Sequence, residues 1–223
     1  MPDGGESVLY RASKIISVPL MRLLWRPKVE GAGNVPASGP AILASNHLSV
    51  LDSFILPAVL PRPVRFVAKN EYFTGNPLTA LWMRGMGTVS IDRENASAAQ
   101  AMLDSAVEVL KAGELFGIYP EGTRSPDGRL YRGKIGVAWL SLTTHAPVIP
   151  VAMMGVDKVL PPGATVPRLY RIGIRIGEPM TFAGDPGRAR DRREVTDQVM
   201  EAIQRLSGQE YVPKYAASVK AAT

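Results

Sequence analysis

The stretch SNHLSVLD, residues 45–52, places a histidine and an aspartate five positions apart, directly after the apolar run AILA. On one regular helix that spacing would turn the two side chains about 140° from each other. They can meet if only the aspartate is helical. With Ser49 as N-cap, Val50 is the first helical residue and Asp52 the third, a capping-box-like Ser-x-x-Asp. His47 then lies in the preceding loop, where its ring can fold back towards the carboxylate. Histidine is a candidate general base, and the chain has only two, His47 and His145. The same residues also fit a structural role, with Asp52 complementing the helix dipole and His47 an ordinary loop residue.

A second candidate is YPEGTRSPDGRLYRGKIG, residues 119–136, with glycines at 122, 128, 133 and 136 and the cations Arg124, Arg129, Arg132 and Lys134. Flexible backbone amides near several cations suit a phosphate group. The competing reading is a surface loop of turn-formers in which Glu121 and Arg124 make an exposed pair. The lysine-serine ending of a Walker loop is missing, which argues against nucleotide hydrolysis.

Composition narrows the chemistry. The chain has 223 residues, enough for one core, with 46% hydrophobic and 21% charged residues. It has no cysteine, which excludes disulfides, thiolate catalysis and cysteine-based metal sites. Two histidines cannot make an all-histidine metal triad. The net charge of +6 and a pI near 9.7 favour an anionic partner. No apolar stretch reaches the length of a membrane span; IISVPLMRLLW, residues 15–25, comes nearest and is interrupted by Arg22. The MPDGGE start lacks the basic region of a signal peptide, so a cytoplasmic protein is expected.

The elements that must position these residues follow from hydrophobic period. Val8, Leu9, Ala12, Ile15, Ile16, Leu20 and Leu23 recur at helical spacing, opposite Arg11, Lys14 and Arg22, with Trp25 at the end and Pro19 a possible kink. Residues 1–27 are therefore expected to form an amphipathic helix, either anchored in a membrane interface or packed on the body. From residue 28 to 223 one domain is expected. AILAS, VRFVAK, TVSI, ELFGIYP, PVIPVAMMG and YRIGIRIG read as strands. Helices are expected over 49–60, PLTALWMRG, SAAQAMLDSAVEVLKAG, KIGVAWLSLTTHA and 191–206. This alternation implies an α/β fold, a layered domain with a largely parallel central sheet flanked by helices. His47 follows AILAS, Arg93 follows TVSI and PEGTRS follows ELFGIY. All three therefore fall at the C-terminal strand ends, where open α/β sheets bind ligands.

These motifs, taken in order, resemble the glycerolipid acyltransferase family. NHLSVLD matches its His-x4-Asp motif and YPEGTRS its Phe-Pro-Glu-Gly-Thr-Arg-Ser block, with Tyr119 replacing phenylalanine. VSIDRE is similar to the middle block, AKNEYF to the segment between the first two, and PVIPVAM to the late apolar strand. The matches cover roughly residues 28–180, and the branch they most resemble acts on 1-acyl-sn-glycerol 3-phosphate.

The resemblance implies transfer of a fatty acyl group from a thioester, on coenzyme A or acyl carrier protein, to a lysophospholipid hydroxyl. His47 would be the general base and Asp52 would fix its tautomer. Backbone amides around Gly122 and Thr123 would face the oxyanion. Arg93 and Arg124, then Lys69, would meet the acceptor phosphate, with Glu121 holding the loop by pairing with an arginine or capping amides. No metal or other cofactor is expected. The substrate supplies the hydroxyl, consistent with the lack of any Gly-x-Ser-x-Gly motif. The partners implied are a lysophospholipid, an acyl thioester and the anionic cytoplasmic face of the cell membrane, held peripherally. Nucleic acid is not expected, because the arginines at 188, 190, 192 and 193 interleave with acids and lack aromatics. His145, at a helix end before Ala-Pro, is expected to bond the last carbonyls. The alternatives are the same chemistry on glycerol 3-phosphate or another lysophospholipid, and a non-catalytic membrane- or lipid-binding module.

Overall fold

The computed structural model of the protein describes residues 8–69, 89–91, 97–161 and 164–221. The strands are β1 (Lys28–Glu30), β2 (Ala41–Ser45), β3 (Val64–Arg65), β4 (Val67–Lys69) and β5 (Val89–Ile91), then β6 (Leu115–Ile118), β7 (Leu130–Tyr131), β8 (Val148–Met154), β9 (Gly173–Ile176) and β10 (Tyr211–Val212). The helices are α1 (Val8–Trp25), α2 (Asp52–Val59), α3 (Ser97–Lys111), α4 (Gly136–Thr144), α5 (Val156–Val159), α6 (Ala189–Ser207) and α7 (Ala216–Lys220).

The run AILAS is apolar on both faces because β2 is central. The main sheet has the order β1-β9-β8-β2-β6-β3, and every residue of β2 is buried. Alternate side chains of β2 enter different cores. Ala41 and Leu43 pack with Ile55, Leu56, Val64 and Met21, from the α1–α2 side. Ile42 and Ala44 pack with Ala106, Leu110, Leu140, Val199 and Ile203, from α3, α4 and α6. The sheet is parallel except where β9 runs antiparallel to β8. The layered, largely parallel arrangement is the expected one.

Three local expectations change. The helix after His47 begins at Asp52, with Val50 and Leu51 in a turn, so Asp52 opens the helix and is not its third residue. VRFVAK is two strands: β3 pairs with β6 of the main sheet, and β4 pairs with β5 in a separate one. Phe66, at the break, is buried. His145 caps α4 in a left-handed conformation, φ 56°. The last-turn carbonyl of Leu140 is met by the Thr144 hydroxyl at 2.7 Å, and no ring-to-carbonyl bond from His145 occurs among the described residues. It also precedes β8, at the sheet end opposite His47. Near the C-terminus β10 pairs in parallel with β7, and α7 follows. The PLTALWMRG helix, Arg93 and most of AKNEYF lie outside the described residues.

Helix α1 packs on the body of the domain and also exposes apolar side chains. Met21 is buried, and Trp25 Nε1–H donates to the Arg168 carbonyl at 3.1 Å. Lys14, expected among the solvent-facing cations, instead donates to the Leu60 carbonyl at 2.6 Å. Yet Ile15 and Leu23 are 73% and 72% exposed. The helix continues through Pro19. No helix among the described residues is long and apolar enough to cross a membrane.

Candidate active site

β2 and β6 are hydrogen-bonded neighbours running in parallel, so the loops that leave their C-terminal ends must meet. The β2 loop carries His47, and the β6 loop carries residues 119–125. They are joined through backbone as well as side chains: Ser125 N–H donates to the His47 carbonyl at 2.8 Å, and His47 N–H donates to Glu121 Oε1 at 3.1 Å.

His47 Nδ1 lies 3.0 Å from Asp52 Oδ2. That oxygen also accepts the N–H groups of Leu48 at 2.7 Å and Ser49 at 2.8 Å. One oxygen of the carboxylate therefore ties down the turn that precedes α2 and also meets the histidine. Asp52 is fully buried, and its Oδ1 has no hydrogen-bond partner among the described residues. An ionised carboxylate only accepts, which puts the proton of a neutral imidazole on Nδ1 and leaves Nε2 as the basic nitrogen.

The face of the ring is fixed by an aromatic stack. Tyr119 lies parallel to His47 with ring centroids 3.9 Å apart, and Phe66 stacks behind Tyr119 at 5.4 Å. Tyr119 shares a hydrogen bond with the Ser53 hydroxyl at 2.9 Å. Burial, reinforced by the Asp52 charge, holds the Tyr119 phenol well above its usual range, so it stays protonated. The stack explains Gly117 inside strand β6: a Cβ there would come within 2.3 Å of the Phe66 ring. Tyr119 is thus more than a substitute for phenylalanine, a role its place in the motif did not disclose.

Glu121 is buried, with Oε1 on His47 N–H and Oε2 on Tyr131 N–H at 2.9 Å. Burial pushes its carboxyl up to about 7 although both backbone bonds oppose the shift. It holds the loop by capping amides, one of the two ways foreseen, and has no arginine partner among the described residues. Gly122 adopts φ 72°, and its N–H closes a turn on the Tyr119 carbonyl at 2.9 Å. That amide is engaged and does not face an oxyanion. Thr123 N–H meets no acceptor among the described residues.

The loop cations divide. Arg129 is taken by Asp127 at 2.6 Å and Glu210 at 3.4 Å, and Arg132 lies over the Tyr215 ring at 5.7 Å. Arg124 has no hydrogen-bond or ion-pair partner among the described residues. Lys69 ends β4, but its side chain, like Arg93, is outside the description. No group of three or more His, Asp or Glu among the described residues is placed to hold a metal ion.

Asn46, the residue before His47, continues the sheet. Its side-chain amide exchanges two bonds with Met153 of β8, at 2.7 and 2.9 Å, and donates to Gln209 at 2.8 Å. Gln209 in turn donates to the Gly128 carbonyl at 2.6 Å. This tie from the C-terminal segment to the residue beside His47 has no local sequence signal.

A family model described as Acyltransferase matches residues 26–154, which include both loops. The chain belongs to the acyltransferase family. The acyltransferase is 35% identical over 141 residues to the chloroplastic 1-acyl-sn-glycerol-3-phosphate acyltransferase LPAT1 of Arabidopsis thaliana, an alignment covering 63% of this chain and 39% of the relative. It is 30% identical over 168 residues to the 1-acyl-sn-glycerol-3-phosphate acyltransferase of Bacillus subtilis, with 73% and 79% covered. The chain thus spans well under two thirds of the plant relative and most of the bacterial one. The crystal structure of the 1-acyl-sn-glycerophosphate acyltransferase PlsC from Thermotoga maritima superposes with a TM-score of 0.70 at 25% identity, covering 88% of this chain and 79% of that one. The acyltransferase shares that α/β fold.

Proposed function

We propose that this chain transfers a fatty acyl group from an acyl thioester to the free hydroxyl of 1-acylglycerol 3-phosphate, forming phosphatidate for phospholipid synthesis. The observation that carries this reading is the His47–Asp52 pair, held at 3.0 Å and gripped through the His47 backbone by Glu121. As the hydroxyl attacks the thioester carbonyl, its proton passes to His47 Nε2 and the imidazolium faces Asp52. The tetrahedral intermediate then expels the thiolate, which takes that proton and leaves as the thiol. Thr123 N–H, which meets no acceptor among the described residues, is an amide of the loop that can serve the oxyanion. Arg124, with Arg93 and Lys69 from the motif order, supplies charge for the acceptor phosphate. The names of the relatives support lysophosphatidate as the acceptor. A binding module that only held lipid would have no use for a base oriented in this way.

The test offers the purified chain an acyl-CoA and an acyl carrier protein thioester, each with a panel of acceptors. Thiol release is expected to be fastest with 1-acylglycerol 3-phosphate. Equal rates with glycerol 3-phosphate or a zwitterionic lysophospholipid would overturn the acceptor assignment. No release with any acceptor would overturn the enzymatic reading.

Membrane attachment through α1 is part of this proposal, at the anionic cytoplasmic face and without spanning. Its support is an exposed apolar surface: Ile15, Leu20 and Leu23 on α1, adjoining Val166, Leu169 and Tyr170 where Trp25 bonds Arg168. Arg22 and Arg26 are exposed beside it, and each such cation contributes about 1 kcal/mol at an anionic surface. Removing α1 would uncover the buried Met21 site, so substitution is the cleaner test. Ile15→Glu with Leu23→Glu is expected to reduce sedimentation with anionic vesicles while leaving thermal unfolding unchanged. Undiminished sedimentation would move the membrane face elsewhere on the domain.

A further inference from the structure

The C-terminal segment is strapped across the β6 loop at several points. β10 pairs with β7 inside that loop, Arg132 N–H donates to the Lys214 carbonyl at 3.0 Å, and Gln209 joins Asn46 to Gly128. Arg132 lies over the Tyr215 ring, and Ala216, the first residue of α7, is fully buried. These anchors bring the last residue of α7, Lys220, against the loop. Its Nζ donates to Thr123 Oγ1 at 3.0 Å.

Three cations then surround one turn. Lys134 covers Gly122 so closely that a Cβ there would meet its Cε at 2.9 Å and its Nζ at 3.1 Å. Lys220 lies near enough to Arg124 that burial and the arginine charge lower its ammonium from the usual lysine range, with Glu121 opposing. Glu121 accepts backbone N–H on both oxygens and makes no ion pair within 4.0 Å among the described residues. Among the described residues none of Arg124, Lys134 and Lys220 has a carboxylate ion-pair partner, whereas Arg129 in the same loop has two. Like charges gathered around an amide-bearing turn are relieved by a bound anion.

We propose that Lys220 completes a phosphate site with Arg124 and Lys134, so that the C-terminal helix is part of the substrate pocket. This rests on the acyltransfer reading above. The ligand is a phosphate group, either that of the lipid acceptor or one on coenzyme A. The turn carrying it begins at Glu121, which holds His47, so an anion seated there is linked to the catalytic histidine by one side chain.

The experiment uses the full chain and Lys220→Gln, which keeps length and polarity but removes charge. With 1-acylglycerol 3-phosphate and an acyl-CoA varied separately, the variant is expected to raise one KM by about three- to tenfold, with kcat little changed. A rise for the acceptor assigns the lipid phosphate, and a rise for the donor assigns coenzyme A. Lys220→Arg should restore most of the loss, and Arg124→Ala should raise the same KM. A second readout does not require turnover: inorganic phosphate, against chloride at equal ionic strength, should raise the Tm of the wild type more than that of Lys220→Gln. If the wild type fails to turn over but shows this difference, the acyltransfer reading falls and the phosphate site stands. Unchanged KM values together with equal phosphate stabilisation would overturn the site.

Discussion

His47→Ala is expected to lower kcat for acyl transfer by about two to four orders of magnitude, the usual contribution of a positioned general base. The backbone argues that this loss will be chemical. His47 N–H remains on Glu121 and its carbonyl still accepts from Ser125, so both loops stay joined when the ring is removed. Asp52 Oδ2 keeps the N–H groups of Leu48 and Ser49. What disappears is one hydrogen bond and the stack on Tyr119, a stability loss of about 1–2 kcal/mol. Phosphatidate formation and thermal unfolding should be measured together, with His145→Ala as the control. Near-normal turnover by His47→Ala would end the proposed mechanism, as would an equal loss in the control.

The sequence disclosed the His47–Asp52 meeting because the constraint is local: a loop histidine and a helix-opening carboxylate need only one turn to find each other. The expected position of Asp52 was two residues too deep. Val50 and Leu51 carry the chain through a turn, and Asp52 caps it by accepting the preceding amides, a geometry that the Ser-x-x-Asp pattern does not distinguish from a capping box. Alternation of strands and helices likewise disclosed the layers, and parallel neighbours at β2 and β6 then forced two distant motifs together. Periodicity could not see that Phe66 falls between two strands and joins a stack on Tyr119, because pairing partners decide where VRFVAK breaks.

Least legible were the residues whose meaning is wholly tertiary. Arg124, Arg129, Arg132 and Lys134 look alike in YPEGTRSPDGRLYRGKIG, yet Asp127, Glu210 and Tyr215 occupy two of them. Two of those three partners lie some 80 residues along the chain. The pairing of Leu130–Tyr131 with Tyr211–Val212 is only two residues long on each side. No propensity scale marks such a strand, so nothing in the local sequence announces it.

Asp52→Asn is expected to separate charge from orientation, and to lose about as much turnover as His47→Ala, some two to four orders of magnitude. An asparagine can place its oxygen where Oδ2 accepts from His47, Leu48 and Ser49. The flipped amide would set an NH2 group against two backbone N–H donors, so those amides enforce the correct orientation and with it the Nδ1–H tautomer. The NH2 group then occupies the position of Oδ1, which is already buried without a partner among the described residues. The fold and the ring geometry should therefore survive, with stability reduced by only about 1–2 kcal/mol. What is missing is the negative charge that stabilises the imidazolium as the hydroxyl attacks. Asp52→Ala makes the contrast: it strands the Leu48 and Ser49 amides in a buried site, about 1–3 kcal/mol for each, and should unfold earlier while losing similar activity. Turnover of Asp52→Asn within a few-fold of wild type would show that the carboxylate's charge is not needed, and Asp52 would then act only as an anchor for the turn before α2.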